Sequence, residues 1–208
     1  MLMQKKHTNR KNSKENKKRA KETPQKLLDV AINLFATKGF KGTSIRDIAR
    51  DTGMTISGIY YYFGNKEGLL YAILEKSAND LVNKLRLAAE SDLEPLERFK
   101  LLVKTHFNLL VGEHMKESKI LWIEAEELTR VSKQYQIEIL NIYRQELKKL
   151  KKLGYIKSNN ITIQAFNIFA VINWHLRWYK PEGRLSIAEL REEMINFVLY
   201  GALGGPPS

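Results

Sequence analysis

Apolar residues return every three or four positions along most of this chain, and few stretches alternate as a half-buried strand requires. Leu27, Val30, Ala31, Leu34 and Phe35 form one such stripe; Leu69, Leu70, Ile73 and Leu74 form another. The pattern restricts the chain to an all-α fold, and its glycines, prolines and small polar residues divide it into helices. Thr23 predicts an N-cap with Pro24 at the first helical position, and Gly39 predicts the close of that helix. Thr43 or Ser44 opens a second helix, with Ile45, Ile48 and Ala49 facing inward, and Gly53 ends it. A short third helix is predicted from Thr55 to Tyr62, and Asn65 caps a long fourth. Pro95 opens a helix reaching Leu110. A longer pattern runs from Lys119 to Leu153, with a break near Val131 and a stop at Gly154. Two further helices lie on either side of a turn at Pro181 and Gly183.

The predicted organisation is a basic tail over residues 1–22, a helix-turn-helix domain over 23–70, a helical domain over 71–203 and a frayed end over 204–208. Residues 1–23 carry nine Lys and Arg against Glu15 and Glu22, so a net +7 of the chain's formal +12 sits there. That segment is too polar to bury a core and is expected to be disordered. Its charge favours a polyanionic partner.

Other classes are excluded or disfavoured. The absence of cysteine rules out disulfides and thiolate metal sites. No apolar run approaches the roughly 18 residues of a membrane span, and the charged N-terminus lacks the apolar core of a secretory signal. A cytoplasmic location is expected. His106, His114 and His175 are scattered without a tight pair, so no metal is expected. No Gly-rich phosphate loop, nucleophile elbow or triad order stands out; neither cofactor nor catalytic residue is expected.

Three consecutive phenols, Tyr60, Tyr61 and Tyr62, fall on the third helix. Successive helical residues are turned by about 100°, so three neighbours cannot share one buried face. Ile59 and Phe63 claim the inner side, which turns Thr55, Ile56, Ser57, Tyr60 and Tyr61 outward. Tyr62 stands between the two sides. Two short helices around a tight Gly turn form a helix-turn-helix pattern. Its outer face suits DNA. The hydroxyls of Thr43, Ser44, Thr55 and Ser57 can meet phosphates or base edges, Gly58 allows close approach, and a phenol can hold a phosphate from the end of a rigid ring.

The stretch "GFKGTSIRDIARDTGMTISGIYYYFGNKEGLLYAIL", residues 39–74, resembles the DNA-binding domain of the TetR family of bacterial transcriptional repressors. The likeness is continuous from Leu27 for about 45 residues. It implies a two-domain all-α repressor, working as a homodimer on a pseudo-palindromic double-stranded operator. It also implies DNA contacts at Thr43, Arg46, Thr55, Ile56, Ser57, Tyr60, Tyr61 and Tyr62, with Lys66 gripping phosphate. Position 56 is often basic in the family and is Ile here.

In the second domain, Trp174-x-x-x-Trp178-Tyr179-x-Pro181-x-Gly183 resembles a TetR subgroup that senses acyl-CoA thioesters. That resemblance implies a dimer built by the last two helices beside an effector pocket. Phe107, Trp122, Phe166, Phe169, Trp174 and Trp178 are the candidates for its apolar lining, and Arg177 for its anionic side. Two other readings remain at this point: a helical enzyme or carrier for a CoA-like ligand, and an architectural DNA binder that takes no ligand.

Overall fold

A computed structural model describes residues 24–123 and 129–202; the side chains of residues 121–132 and 202 are outside that description. The basic tail, the Thr23 cap and the last six residues therefore lie outside the described residues. The chain divides into two compact units between Ile73 and Leu74. All regular structure among the described residues is helical.

The first unit begins with α1, helical over residues 24–38. α2 (Ile45–Thr52) and α3 (Ile56–Phe63) follow, eight residues each, and then the start of α4 (Lys66–Ala89). Ser44, not Thr43, caps α2. Its hydroxyl accepts from the Asp47 amide, and the Asp47 carboxylate accepts in return from the Ser44 amide at 3.0 Å. That box holds the Asp47 carboxyl down at about 2, chiefly through the Ser44 hydroxyl and amide. Gly53, at φ 73°, makes the left-handed turn between α2 and α3, a conformation costly for a residue with a Cβ. Thr55 then caps α3 by accepting from the Gly58 amide at 3.1 Å. Asn65 caps α4 by accepting from the Gly68 amide. Leu27, Ala31, Ile48, Ile59 and Leu69 are sealed from solvent and form the centre of this unit.

The second unit contains the rest of α4, then α5 (Pro95–Phe107), a π-helical segment (Asn108–Glu113), α6 (Met115–Ile123), α7 (Thr129–Lys152), α8 (Ile161–Trp178), α9 (Ile187–Phe197) and a closing π-helical segment (Val198–Ala202). The helix opened by Pro95 thus leaves α geometry at Asn108 rather than at Leu110. Within the pattern predicted from Lys119 to Leu153, α6 and α7 are described on either side of residues 124–128, and α7 is continuous through Val131, where a break was expected. Gly154 ends α7 at φ 84°, as its position predicts. Phe99, Leu102 and Phe107 of α5 pack in one apolar core with Tyr143 and Leu147 of α7, Ile168 and Ile172 of α8, and Leu190 and Met194 of α9.

One carboxylate interrupts that core. Glu146 is buried, accepts from Arg98 at 2.9 Å and pairs with Lys149 at 2.5 Å. Arg98 is itself largely enclosed, whereas Lys149 is half exposed. Leaving a buried charge unpaired costs about 3–5 kcal/mol, and an exposed pair contributes roughly 0–1. Arg98→Met is therefore expected to lower the urea midpoint much more than Lys149→Met; equal losses would show that Lys149 carries the pairing.

Candidate nucleic-acid interface

The packing of the first unit decides which residues of α2 and α3 are free. Ile45, Ile48 and Ala49 of α2 and Ile59 of α3 are buried. Ser44, Arg46, Thr55, Ile56, Ser57, Tyr60, Tyr61 and Tyr62 are exposed. Tyr61 is the extreme, 84% exposed, with Tyr60 at 46% and Tyr62 at 43%. The Tyr61 and Tyr62 rings meet edge to face at 5.4 Å, which limits their freedom before any partner arrives. The result is a contiguous outer face with hydroxyls at the N-terminal end of α3 and phenols at its C-terminal end.

Two of the ten residues expected to contact DNA have side chains engaged within the first unit instead of standing on this face. Thr43 is only 2% exposed, and its hydroxyl donates to the Leu34 carbonyl at 3.2 Å and the Gly39 carbonyl at 2.9 Å. It ties the α1–α2 loop to the end of α1. Lys66 turns inward: Nζ donates to the carbonyls of Phe40 (3.0 Å) and Thr43 (3.1 Å) and lies 4.2 Å from the Phe40 ring centroid. Its ammonium group thus holds the α1–α2 loop by donating to two of its carbonyls.

Of the seven residues expected to line a ligand pocket, the six whose side chains are described do not share one side of the core. Phe107 is fully buried, and Phe169 is partly buried against the His106 ring at 5.8 Å. Phe166, Trp174, Arg177 and Trp178 are exposed, and the Trp122 side chain lies outside the described residues. The cause is helical phase. α8 buries Ala165, Ile168, Ile172 and Leu176, so residues 166, 174, 177 and 178 fall on its other side. Arg177 lies 5.7 Å from the Trp174 ring on that outer side.

The second unit holds two polar clusters that sequence reasoning did not assemble. In the core, His106 Nδ1 lies 3.0 Å from the Tyr143 hydroxyl, and both side chains are completely buried. Burial pushes the imidazole down to about 3 and the phenol well above its ordinary value. The signal was present: His106 interrupts the apolar stripe of Phe99, Leu102, Val103 and Phe107. Nearer the surface, Asp80 and Lys84 of α4 meet Glu113, His114 and Glu117. Lys84 Nζ bridges Asp80 (3.0 Å) and Glu113 (2.9 Å), and His114 Nε2 sits 2.7 Å from Asp80. The ligand atoms of Asp80, Glu113 and His114 all fall within 4.8 Å of one another, but Lys84 already supplies a cation to both carboxylates.

A helix-turn-helix with an open face of hydroxyls and phenols, followed in the chain by an all-helical unit, defines a DNA-binding regulator of the helix-turn-helix class. The chain belongs to the TetR family. Residues 27–73 match the family described as bacterial regulatory proteins, tetR family, and residues 92–202 match the tetracyclin repressor-like C-terminal domain. It is a TetR-type transcriptional repressor. It is 27% identical over 180 residues to the HTH-type transcriptional repressor KstR2 of Rhodococcus jostii, covering 84% of this chain and 88% of that protein. Among solved structures, the ketosteroid transcriptional regulator KstR2 of Mycobacterium tuberculosis superimposes with a TM-score of 0.76 at 25% identity, over 86% of this chain and 93% of that one. A TetR/AcrR-family regulator of Thermobifida fusca gives 0.73 at 27% identity, over 86% and 98%. No helix among the described residues is long and apolar enough to cross a membrane.

The His114 contacts give a pH dependence with a definite sign. Glu117, 3.8 Å from Nδ1, and Asp80, at the shorter hydrogen-bonding distance, hold the imidazole above its ordinary value of 6.5. A raised folded-state value means that the stability from protonated His114 is complete below 6.5 and is lost as pH rises through the raised value. Urea midpoints measured from pH 6 to pH 9 are expected to fall less in His114→Gln than in the unaltered protein. Parallel curves would remove His114 from the account.

Proposed function

We propose that this repressor binds a pseudo-palindromic operator as a homodimer in the cytoplasm. The exposed face of α2 and α3 enters the major groove, and an apolar small molecule, an acyl-CoA or a compound like it, controls binding. The observation that carries the DNA reading is the near-complete exposure of Tyr61 on a helix whose inner face is fully used. Arg46, Thr55, Ile56, Ser57, Tyr60 and Tyr62 share that exposure and complete the contact surface, with Ser44 at its edge. Lys66 and Thr43 act from behind it by fixing the α1–α2 loop. The basic segment before residue 24 adds affinity that is independent of sequence.

The dimer reading rests on α8. Ile163, Phe166, Trp174 and Trp178 lie at helical spacing on one side and are all exposed, and Phe197 at the end of α9 and Tyr200 just beyond it are exposed as well. A stripe of large apolar residues on a subunit surface is a docking face. In a repressor whose operator is two-fold, a second copy of the chain fits it. The aromatic residues first assigned to an effector pocket are thus better used between subunits.

The effector reading draws on the likeness of Trp174–Gly183 to acyl-CoA sensors and on the relative described as a ketosteroid regulator. Among the lining candidates whose side chains are described, Phe107 and Phe169 face inward. Control follows from linkage: the effector binds a DNA-incompetent arrangement of the dimer better than it binds the operator-ready one, by a few kcal/mol at most. α4 supplies residues to both units, which makes it the natural connection.

Tyr61→Ala is expected to lose about 1–3 kcal/mol of specific binding, read by mobility shift with the DNA flanking the gene, while thermal stability changes by less than about 0.5 kcal/mol. Unchanged binding would sink the assignment of this face. Removing residues 1–20 is expected to weaken binding to every duplex alike and to flatten the dependence of log K on log salt; an unaltered slope would show that the segment does not touch phosphate.

A further inference from the structure

We propose that the His106–Tyr143 pair is a receptor for one neutral carbonyl oxygen of the effector, set in the core of the second unit. The proposal rests on the effector reading above and narrows it to a chemical group. Its basis is an accounting of hydrogen bonds. His106 is wholly buried, its Nδ1 is 3.0 Å from the Tyr143 hydroxyl, and its Nε2 has no hydrogen-bonding partner among the described residues. A buried polar atom left unpaired forfeits its hydration with nothing in return, so the arrangement calls for a use.

The two tautomers are not equivalent. If Nδ1–H donated to the phenol, both the phenolic proton and Nε2 would lack partners. If the phenol donates to Nδ1, only the Nε2–H donor is left over. The second arrangement leaves one orphan instead of two and therefore prevails. Tyr143 then fixes the tautomer, and His106 offers a single N–H.

The surroundings select what that N–H can meet. The Tyr143 ring stands edge-on to Phe99 at 6.3 Å, and the His106 ring tilts against Phe169 at 5.8 Å. Among the described residues nothing charged is paired with either side chain. A carboxylate or phosphate entering so apolar a site would bear a large desolvation penalty, and a hydroxyl would bring a donor of its own without an acceptor. A thioester or ketone carbonyl brings only the acceptor that is missing. The chain changes from α to π geometry at Asn108, two residues beyond His106, and such local widening recurs beside binding sites.

The test uses the full-length protein with 15N-labelled histidine, titrated with cyclohexanone and separately with methylcyclohexane. The ketone is expected to move the His106 Nε2 resonance and the hydrocarbon to leave it in place. In parallel, octanoyl-CoA is expected to bind at least about tenfold tighter than S-octyl-CoA, the thioether lacking only the carbonyl oxygen. His106→Phe removes that preference, and His106→Gln, which keeps an N–H donor, restores part of it. A resonance that neither six-membered probe moves overturns the receptor. So does equal binding of the two CoA compounds, which leaves an acyl-CoA effector standing. If neither CoA compound binds while cyclohexanone still shifts Nε2, the acyl-CoA reading fails and the carbonyl receptor remains.

Discussion

An isolated helix of eight residues does not hold together in water, because nucleating it costs more than so few hydrogen bonds return. α2 and α3 are both that short. They persist because Ile48 and Ile59 are driven into a centre shared with Leu27, Ala31 and Leu69, and because each begins with a side-chain cap. Everything proposed for the outer face depends on that inner face. With the apolar side chains consumed inward, the hydroxyls and phenols have no direction left but outward. Gly53 fixes the angle between the two helices, and the inward lysine at the head of α4 clamps the loop that delivers α2.

Much of this was legible in the chain. The cap at the head of α2, the glycines at 39, 53 and 154, and the alternation of inner and outer residues on α3 are local features. Local features survive into the fold because neighbours in sequence decide them. The departures have a common cause of the opposite kind. Thr43 finds its acceptor nine residues back, at Leu34, and Lys66 finds its own 26 residues back, at Phe40. No pattern within a helix announces such contacts. The π segment was equally silent: "NLLVGE" has the composition of ordinary helix.

The aromatic residues of α8 show a different limit. "ITIQAFNIFAVINWHLRW" is apolar on nearly every side, so periodicity alone cannot choose the buried phase. The fold chooses Ala165, Ile168, Ile172 and Leu176, and this sends the larger rings outward. A helix that seals one core with small and aliphatic residues while displaying tryptophans is equipped for two contacts at once. The buried histidine of α5 is the converse case, a polar group placed where only an apolar one is needed for packing.

The outward tryptophans have a practical corollary. Two of the three indoles in the chain, those of Trp174 and Trp178, stand about half in solvent on a single helix. Indole emission moves to shorter wavelength when water leaves the ring. Burial of this surface against another chain would therefore register as a blue shift in unlabelled protein, and dilution would reverse it. The molecule carries its own optical gauge of self-association.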